Sequence, residues 1–476
     1  MSKTLNVLFL AAEATPFVKI GGLADVAGAL PRALRALSEE EAGGVNLDVR
    51  LAIPLHMVIR NDSATLRPIA TFSLKRSGAE MPVQIFEMNS EGLPVYFVAG
   101  EPITTSASVY SANSSLDGEK YTFFSLAALE MSKYLDWVPD IIHANDWHTA
   151  LASYALLMKQ WNGEMEGIKS LLTVHNLPFL GPDITGRLAS YGLPLSATDL
   201  PKWAHAQPLP LGLWASKKNV AVSPTYAEEM LTKEFGAGLE NFLASHKDTL
   251  TGIINGIDVK SYNPETDSAI PINFSAETLE ERSWNKAGLQ QLTGLEIDSS
   301  IPLFGIVSRM TGQKGIDLAL GALSRLKKTR WQAVILGTGD SAIEKQAKRL
   351  EKLFPDRVKV EIRYDDRLAR KIYAGSDMFL MPSRYEPCGL SQMVAMRYGC
   401  LPIARATGGL KDTIKHEETG FLFEGENIKS LSKIMREALK IYEDKNYWKS
   451  MQRNAMEKDF SWKSSAKQYV ALYKSL

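Results

Sequence analysis

The chain has 476 residues, 45% of them apolar and 23% charged, which is enough for two to four domains, each with its own core. Lysine plus arginine equals aspartate plus glutamate at 54 each, so no global charge draws the chain to nucleic acid or to an anionic membrane. The two cysteines, Cys388 and Cys400, exclude a disulfide framework and a four-ligand zinc site, and the seven histidines contain no His-Glu-x-x-His.

The first apolar run, residues 7–12, is stopped by Glu13 and is too short to span a bilayer. It lacks the charged start and cleavage site of a signal peptide, so it reads as a buried strand, with cytoplasm the expected compartment. Expected strands follow at 49–53, 83–88, 95–98, 141–144, 170–174 and 219–222, the first being 6–11. A second series falls at 303–307, 332–336, 358–362, 378–381 and 401–404. Helical patterns at 23–37, 121–135, 318–326 and 430–442 lie among them. This alternation is that of βαβ units and parallel sheets covered on both faces. Residues 261–278, rich in Ser, Asn, Pro, Asp and Thr, have no sustained period and form the candidate linker between two doubly wound halves. Ligands of such sheets bind beyond the carboxyl ends of strands, so the expected site is a cleft between the halves.

Residues 19–25 read Lys-Ile-Gly-Gly-Leu-Ala-Asp between the first strand and the first helix. Two glycines permit close backbone approach and Lys19 supplies a charge, although an ordinary β–α turn has the same composition. The equivalent place in the second half reads Ser-Arg-Met-Thr-Gly-Gln-Lys-Gly (308–315). There the fork of Arg309 and the point charge of Lys314 would neutralise a diphosphate, or simply form a solvated basic loop. Gly337-Thr338-Gly339-Asp340-Ser341-Ala342 resembles a dinucleotide fingerprint but follows the second strand of its half, so a turn against a nucleotide's phosphates or ribose is the preferred reading. His143, Asn145, Asp146 and His148 end one strand, and His175 and Asn176 the next. Residues 382–410 place Glu386 in a turn, open a helix at about Gly389 and end a short strand at Gly408-Gly409. Backbone N–H groups at such a turn suit a phosphate, and a carboxylate beside it would meet the uncharged part of a phosphorylated donor. That combination suggests group transfer. Cys388 has no positioned base and reads as a packed thiol. No Asp-x-Asp occurs, so basic groups rather than a divalent ion are expected to offset a leaving diphosphate.

Taken together the chain resembles the bacterial glycogen synthases and plant-type starch synthases, two-domain GT-B retaining glycosyltransferases. The resemblance runs from Val7 to about Leu472 and is carried by Lys-x-Gly-Gly-Leu-Ala-Asp-Val (19–26), His-Ala-x-Asp-Trp-His (143–148) and Val-Ser-Pro-Thr-Tyr-Ala (222–227). Asn-Gly-Ile-Asp (255–258), Ser-Arg-x-Thr-x-Gln-Lys-Gly (308–315) and Pro-Ser-Arg-Tyr-Glu-Pro-Cys-Gly-Leu (382–390) complete it. It implies two Rossmann-like α/β domains facing a central cleft: 1–262 on the acceptor side, 263–458 binding the nucleotide sugar, and 459–476 returning as a helix onto the N-terminal domain. It further implies ADP-glucose as donor, the non-reducing end of an α-1,4-glucan as acceptor, retention of anomeric configuration, and neither cofactor nor metal.

On that resemblance Lys19, Gly22, Arg309 and Lys314 meet the donor's diphosphate, and Glu386 holds the donor glucose and supports charge at C1. His175 lies beside the sugar with its carbonyl near the anomeric carbon, and Asn255 near the glucose. Gly339 and Tyr364 border the nucleotide, while Cys388, Gly389, Leu390, Thr407, Gly408 and Gly409 line the donor pocket. Asp25 and Asp146 lie on the acceptor side. Ile20, Asn145, the loop Leu-Pro-Phe-Leu-Gly (177–181) and Val394 depart from the family's usual residues. The alternatives are a retaining transferase using UDP-glucose or a small acceptor, and a non-catalytic glucan-binding scaffold.

Overall fold

The computed structural model describes residues 3–60, 66–195, 197–326 and 329–476. The chain divides into two compact units, Met1–Gly256 together with Trp462–Leu476, and Ile257–Ser461.

Among the described residues the first unit is built on nine strands: β1 (Lys3–Leu10), β2 (Val45–Pro54), β3 (Arg67–Arg76), β4 (Ala79–Ser90), β5 (Leu93–Ala99), β6 (Ile141–Asn145), β7 (Lys169–Val174), β8 (Lys218–Ala221) and β9 (Leu250–Gly252). They lie in the order β3-β4-β5-β2-β1-β6-β7-β8-β9. The run from β5 to β9 is parallel and the β3–β4–β5 meander antiparallel. Leu8, Phe9 and Leu10 are wholly buried, as expected of a strand covered on both faces. β3 was not an expected strand. Its Arg-Pro-Ile-Ala-Thr-Phe-Ser-Leu-Lys-Arg buries only Phe72 and Leu74, so it lacks the continuous apolar run that marks the others.

Chain order reverses between β1 and β6, which pair directly at Val7↔Ile141, Leu8↔Ile142 and Phe9↔His143. The loops leaving these two strands therefore sit side by side, at the switch point where doubly wound sheets bind ligands.

The second unit repeats the plan with β10 (Leu303–Val307), β11 (Gln332–Leu336), β12 (Val358–Glu361), β13 (Met378–Met381), β14 (Leu401–Arg405) and β15 (Phe421–Phe423). All are parallel, in the order β12-β11-β10-β13-β14-β15, so the switch point lies between β10 and β13. The linker-like stretch 261–278 lies inside this unit rather than outside a core. Side chains pin it in place of a ladder: Arg397 Nε donates to Tyr262 O at 2.7 Å and Asn285 Nδ2 to Ile272 O at 2.8 Å. The two ends of this unit are joined to each other, Ile257 N donating to Phe460 O at 2.8 Å.

The terminal helix Trp462–Lys474 belongs to the first unit, where Trp462, Tyr469 and Tyr473 enter the same apolar cluster as Leu30 and Leu34 of the helix Gly22–Arg35. Each such side chain buried contributes about 1.5–3 kcal/mol. The helix Ser114–Glu130 starts seven residues before the expected 121, because Asn113 caps it through Ser115 N at 3.0 Å. Its polar first turns are buried: Lys120 Nζ meets Asp117 at 2.8 Å and donates to Ser108 O and Val109 O at 3.0 and 2.6 Å. Among the described residues no helix is long and apolar enough to cross a membrane.

Candidate active site

In the first unit the loop after β1 carries Lys19 and Gly22. Beneath it lies Glu13, 1% exposed, whose carboxyl accepts hydrogen bonds from the backbone N–H of Ile20 and of Gly21, the latter at 3.1 Å. The Tyr110 hydroxyl closes on the same carboxyl. Glu13 thus fixes the glycine turn from below, a role missed from sequence, where it only ended an apolar run. The signal was available: a lone acid between a buried strand and a glycine turn must find backbone donors. Above the turn, Lys19 Nζ pairs with Asp25 at 2.8 Å, both side chains partly exposed. A Cβ on Gly22 would meet nothing within 4 Å, so that glycine is not demanded by the fold itself.

Asp146 follows β6 with a positive φ (55°) and accepts from His175 N at 2.7 Å and Asn176 N at 3.3 Å. Burial nevertheless pushes its carboxyl up to about 7, the two backbone donors only partly opposing this. His175 ends β7; burial pushes its imidazole down to about 3, so the ring is neutral. Its Nε2 bonds Asn145 Oδ1 at 3.0 Å, and Asn145 Nδ2 bonds Leu10 O at 3.0 Å. Asn145 therefore presents its oxygen to the histidine, placing the proton on Nε2 and leaving Nδ1 as an acceptor. His143, by contrast, faces inward, bonded to Tyr473 at 2.7 Å and Thr173 at 2.8 Å. Asn255 is buried at the end of the β9 segment, its Oδ1 without a hydrogen-bond partner.

In the second unit the loops after β10 and β13 meet. Lys314 Nζ lies 2.8 and 2.7 Å from the two oxygens of Glu386, which is 4% exposed, and Ser383 Oγ adds a bond at 2.9 Å. The fold forces this meeting. Gly315 (φ 62°) brings the basic loop so close that a Cβ would sit 2.0 Å from Pro382 O. Arg384 clasps the same loop: its N donates to Gln313 O at 2.8 Å, and its guanidinium to Gly312 O at 2.6 Å and to Asp317 at 2.8 and 2.7 Å. That guanidinium holds the Asp317 carboxyl below the usual carboxylate range. Arg309, exposed on this loop, makes no hydrogen bond or ion pair with its side chain among the described residues.

Gly408 (φ 43°) and Gly409 press against the Glu386 turn, where a Cβ on either would lie 2.0 Å from Glu386 O or 2.2 Å from Cys388 O respectively. Cys388 is buried, as is Thr407. The adjoining helix opens at Ser391, after Gly389 (φ 71°) has turned the chain and Leu390 has capped it. Gly339 lies against the basic loop through Asp340 N donating to Met310 O at 2.7 Å, but its own N–H is taken by Glu344 at 2.8 Å. The fingerprint-like turn is thus capped by the chain's own acids, Asp340 accepting from Ala342 N at 2.8 Å and Glu344 from Gly339 N. Tyr364 follows β12, two strands from the switch point, and is 80% exposed.

Residues 6–245 match the family model described as starch synthase catalytic domain, and 293–455 that of glycosyl transferases group 1. Glycogen synthases from Bacillus cereus and Clostridium beijerinckii are each 39% identical over 99% of this chain, covering 100% and 99% of their own lengths. The catalytic domain of starch synthase IV from Arabidopsis thaliana, solved with ADP and acarbose, superposes with a TM-score of 0.88 at 32% identity, covering 99% of both chains. A sucrose-phosphate synthase from Thermosynechococcus elongatus, at 19% identity and a TM-score of 0.62 over 99% of this chain and 98% of its own, shares the fold alone. With two parallel-sheet Rossmann-like units of GT-B type and full-length relatives of this kind, the chain belongs to the glycogen and starch synthase family of glycosyltransferases.

Proposed function

We propose that the protein transfers glucose from ADP-glucose to the non-reducing end of an α-1,4-glucan with retention of configuration, and that it works in the cytoplasm without cofactor or metal. The observation that carries this reading is the Lys314–Glu386 pair at the second switch point, a cation and a buried carboxylate held 2.7 Å apart by glycine turns. In the donor complex Lys314 and Arg309 neutralise the departing diphosphate, and Lys19 and the backbone at Gly22 meet the same group. Charges fixed before the reaction, in a site that excludes water, stabilise the separating anion at little reorganisation cost. Glu386, relieved of part of its bond to Lys314, holds the hexose and supports positive charge at C1. Gly389, Leu390, Cys388, Thr407, Gly408 and Gly409 shape that pocket, Gly339 and Tyr364 border the nucleotide, and Asn255 supplies its orphaned oxygen to a sugar hydroxyl.

His175 contributes a neutral ring and a backbone carbonyl beside the anomeric carbon. Asp146 and Asp25 bind on the acceptor side. The acceptor's 4-OH attacks the face the diphosphate leaves, its proton passing to the departing phosphate oxygen. The test is ADP release from ADP-glucose with glycogen in the absence of divalent metal, beside UDP-glucose. Glycogen-dependent release from ADP-glucose, with the new linkage α, is expected; release from UDP-glucose alone, or from neither, overturns the reading.

A further inference from the structure

Gln392, in the first turn of the helix Ser391–Arg397, is wholly buried and has no role in the assignments above. Its side-chain nitrogen shares two protons among Cys388 O at 3.1 Å, Gly389 O at 3.0 Å and Thr413 Oγ1 at 3.1 Å. Thr413 Oγ1 in turn donates to Gly409 O at 2.6 Å. One amide therefore stitches the turn that follows Glu386 to the turn at Gly408–Gly409. The stitch bears on Glu386 itself, because Gly409 N donates to Glu386 O and to Pro387 O, both at 3.2 Å.

Three oxygens around one end of the amide fix its orientation, nitrogen toward them and oxygen away. Oε1 is then buried with no hydrogen-bond partner, 2.5 Å from where a Cβ on Gly389 would be. A buried carbonyl left orphaned is costly, and methionine would fill a similar volume without it. Stability alone does not explain a glutamine here; the nitrogen's bonds to the two turns do.

We propose that Gln392 is a positioning residue for the donor. Acting with Thr413, it sets the spacing of the two glycine turns and so aims the Glu386 carboxylate at the hexose, without touching the sugar nucleotide. The inference rests on the donor reading given above. Small displacements of a positioned group are expensive in rate, a shift of about 1 Å costing on the order of a hundredfold.

The test compares Gln392→Met, Thr413→Val, Thr413→Ser and the double variant Gln392→Met/Thr413→Val in steady-state ADP release, each substrate varied in turn, with the thermal midpoint recorded. Gln392→Met and Thr413→Val are each expected to lower kcat/KM for ADP-glucose by about ten- to a hundredfold. The double variant should lose no more than about threefold beyond the worse single one, because both cut the same link. Thr413→Ser should keep activity within about threefold of the parent, and KM for glycogen should stay within about twofold. Thr413→Val and Thr413→Ser decide the matter even if Gln392→Met does not fold. Wild-type kinetics in Thr413→Val, losses that multiply in the double variant, or a KM for glycogen that rises beyond about twofold would overturn the proposal. Parent activity is a separate readout: a parent inert toward ADP-glucose defeats the donor reading, whereas the stitch stands or falls on variant-to-parent ratios with whichever sugar nucleotide turns over.

Discussion

The two units are wound alike and carry their motif-bearing loops at the same topological place, yet they hold those loops by different means. The first unit relies chiefly on buried hydrogen bonds between backbone N–H groups, carboxyls and neutral imidazoles. His56, His143, His148 and His175 are all pushed down by burial, and the Asp146 carboxyl is pushed up to about 7. Its main buried ion pair near the site, Lys120–Asp117, braces the 108–109 backbone rather than the glycine turn. The second unit relies on charge: Lys314 on Glu386, and Arg384 on Asp317 and Glu426. Similar topology therefore does not mean similar sensitivity. Removing a cation should damage the second unit, whereas acid should loosen the first.

The largest effect is expected from Lys314→Met, which leaves Glu386 buried without its cation. Unfolding free energy should fall by about 3 kcal/mol, the usual cost of breaking a buried pair. The double variant Lys314→Met/Glu386→Gln should regain most of that stability, measured by urea denaturation, while ADP release stays at background. Recovery of turnover in the double variant would show that the pair is structural only.

Next come two glycines that contrast the units directly. Gly408→Ala puts a Cβ 2.0 Å from Glu386 O at a positive φ, so stability should drop by about 2 kcal/mol or more together with activity. Gly22→Ala meets no atom within 4 Å, so stability should change by less than about 0.5 kcal/mol while activity falls, because only a ligand needs that space. Full activity in Gly22→Ala would remove the donor from the first unit's turn.

The pH response should separate the units next. A histidine held neutral below its ordinary value of 6.5 is protonated only on unfolding, so stability is lost as pH falls from about 6.5 toward 3–4. Asp146 opposes this: its raised carboxyl takes up a proton in the folded chain, adding stability as pH falls through about 7. Four depressed histidines against one raised acid leave the first unit acid-labile. In the second unit Asp317, lowered by Arg384, loses its contribution only below its ordinary value of 3.8. Hydrogen exchange at pH 5, corrected for intrinsic rates, should accelerate in β6 and β7 before β10 and β13; the reverse order would contradict this difference.

The smallest effect is expected from Asp25→Asn. The Lys19–Asp25 pair is partly exposed, so stability should move by less than about 0.5 kcal/mol in thermal denaturation.

Much of the fold was legible because parallel strands buried on both faces leave continuous apolar runs: 303–307, 332–336 and 378–381 coincide with β10, β11 and β13. The half-exposed β3 and the three-residue β9 and β15 left no such trace. The loop motifs were visible because glycine and charge together after a strand are distinctive. What supports them was not. Arg384 and Gln392 act through groups brought near only by folding, which neither composition nor spacing encodes, whereas Glu13 was readable from its place between a buried strand and a glycine turn. His143 showed the converse: a polar residue at a strand end, it faces Tyr473 and Thr173 in the interior.

The proposed function requires Lys19 as well as Lys314 and Glu386 to meet the sugar nucleotide. Lys19→Ala tests it most directly, since Lys19 is 44% exposed and its loss should leave the fold intact. With glycogen saturating, kcat/KM for ADP-glucose should fall by roughly two decades, as for loss of one fixed charge on the leaving group. An unchanged kcat/KM in a fully folded Lys19→Ala variant would contradict the account.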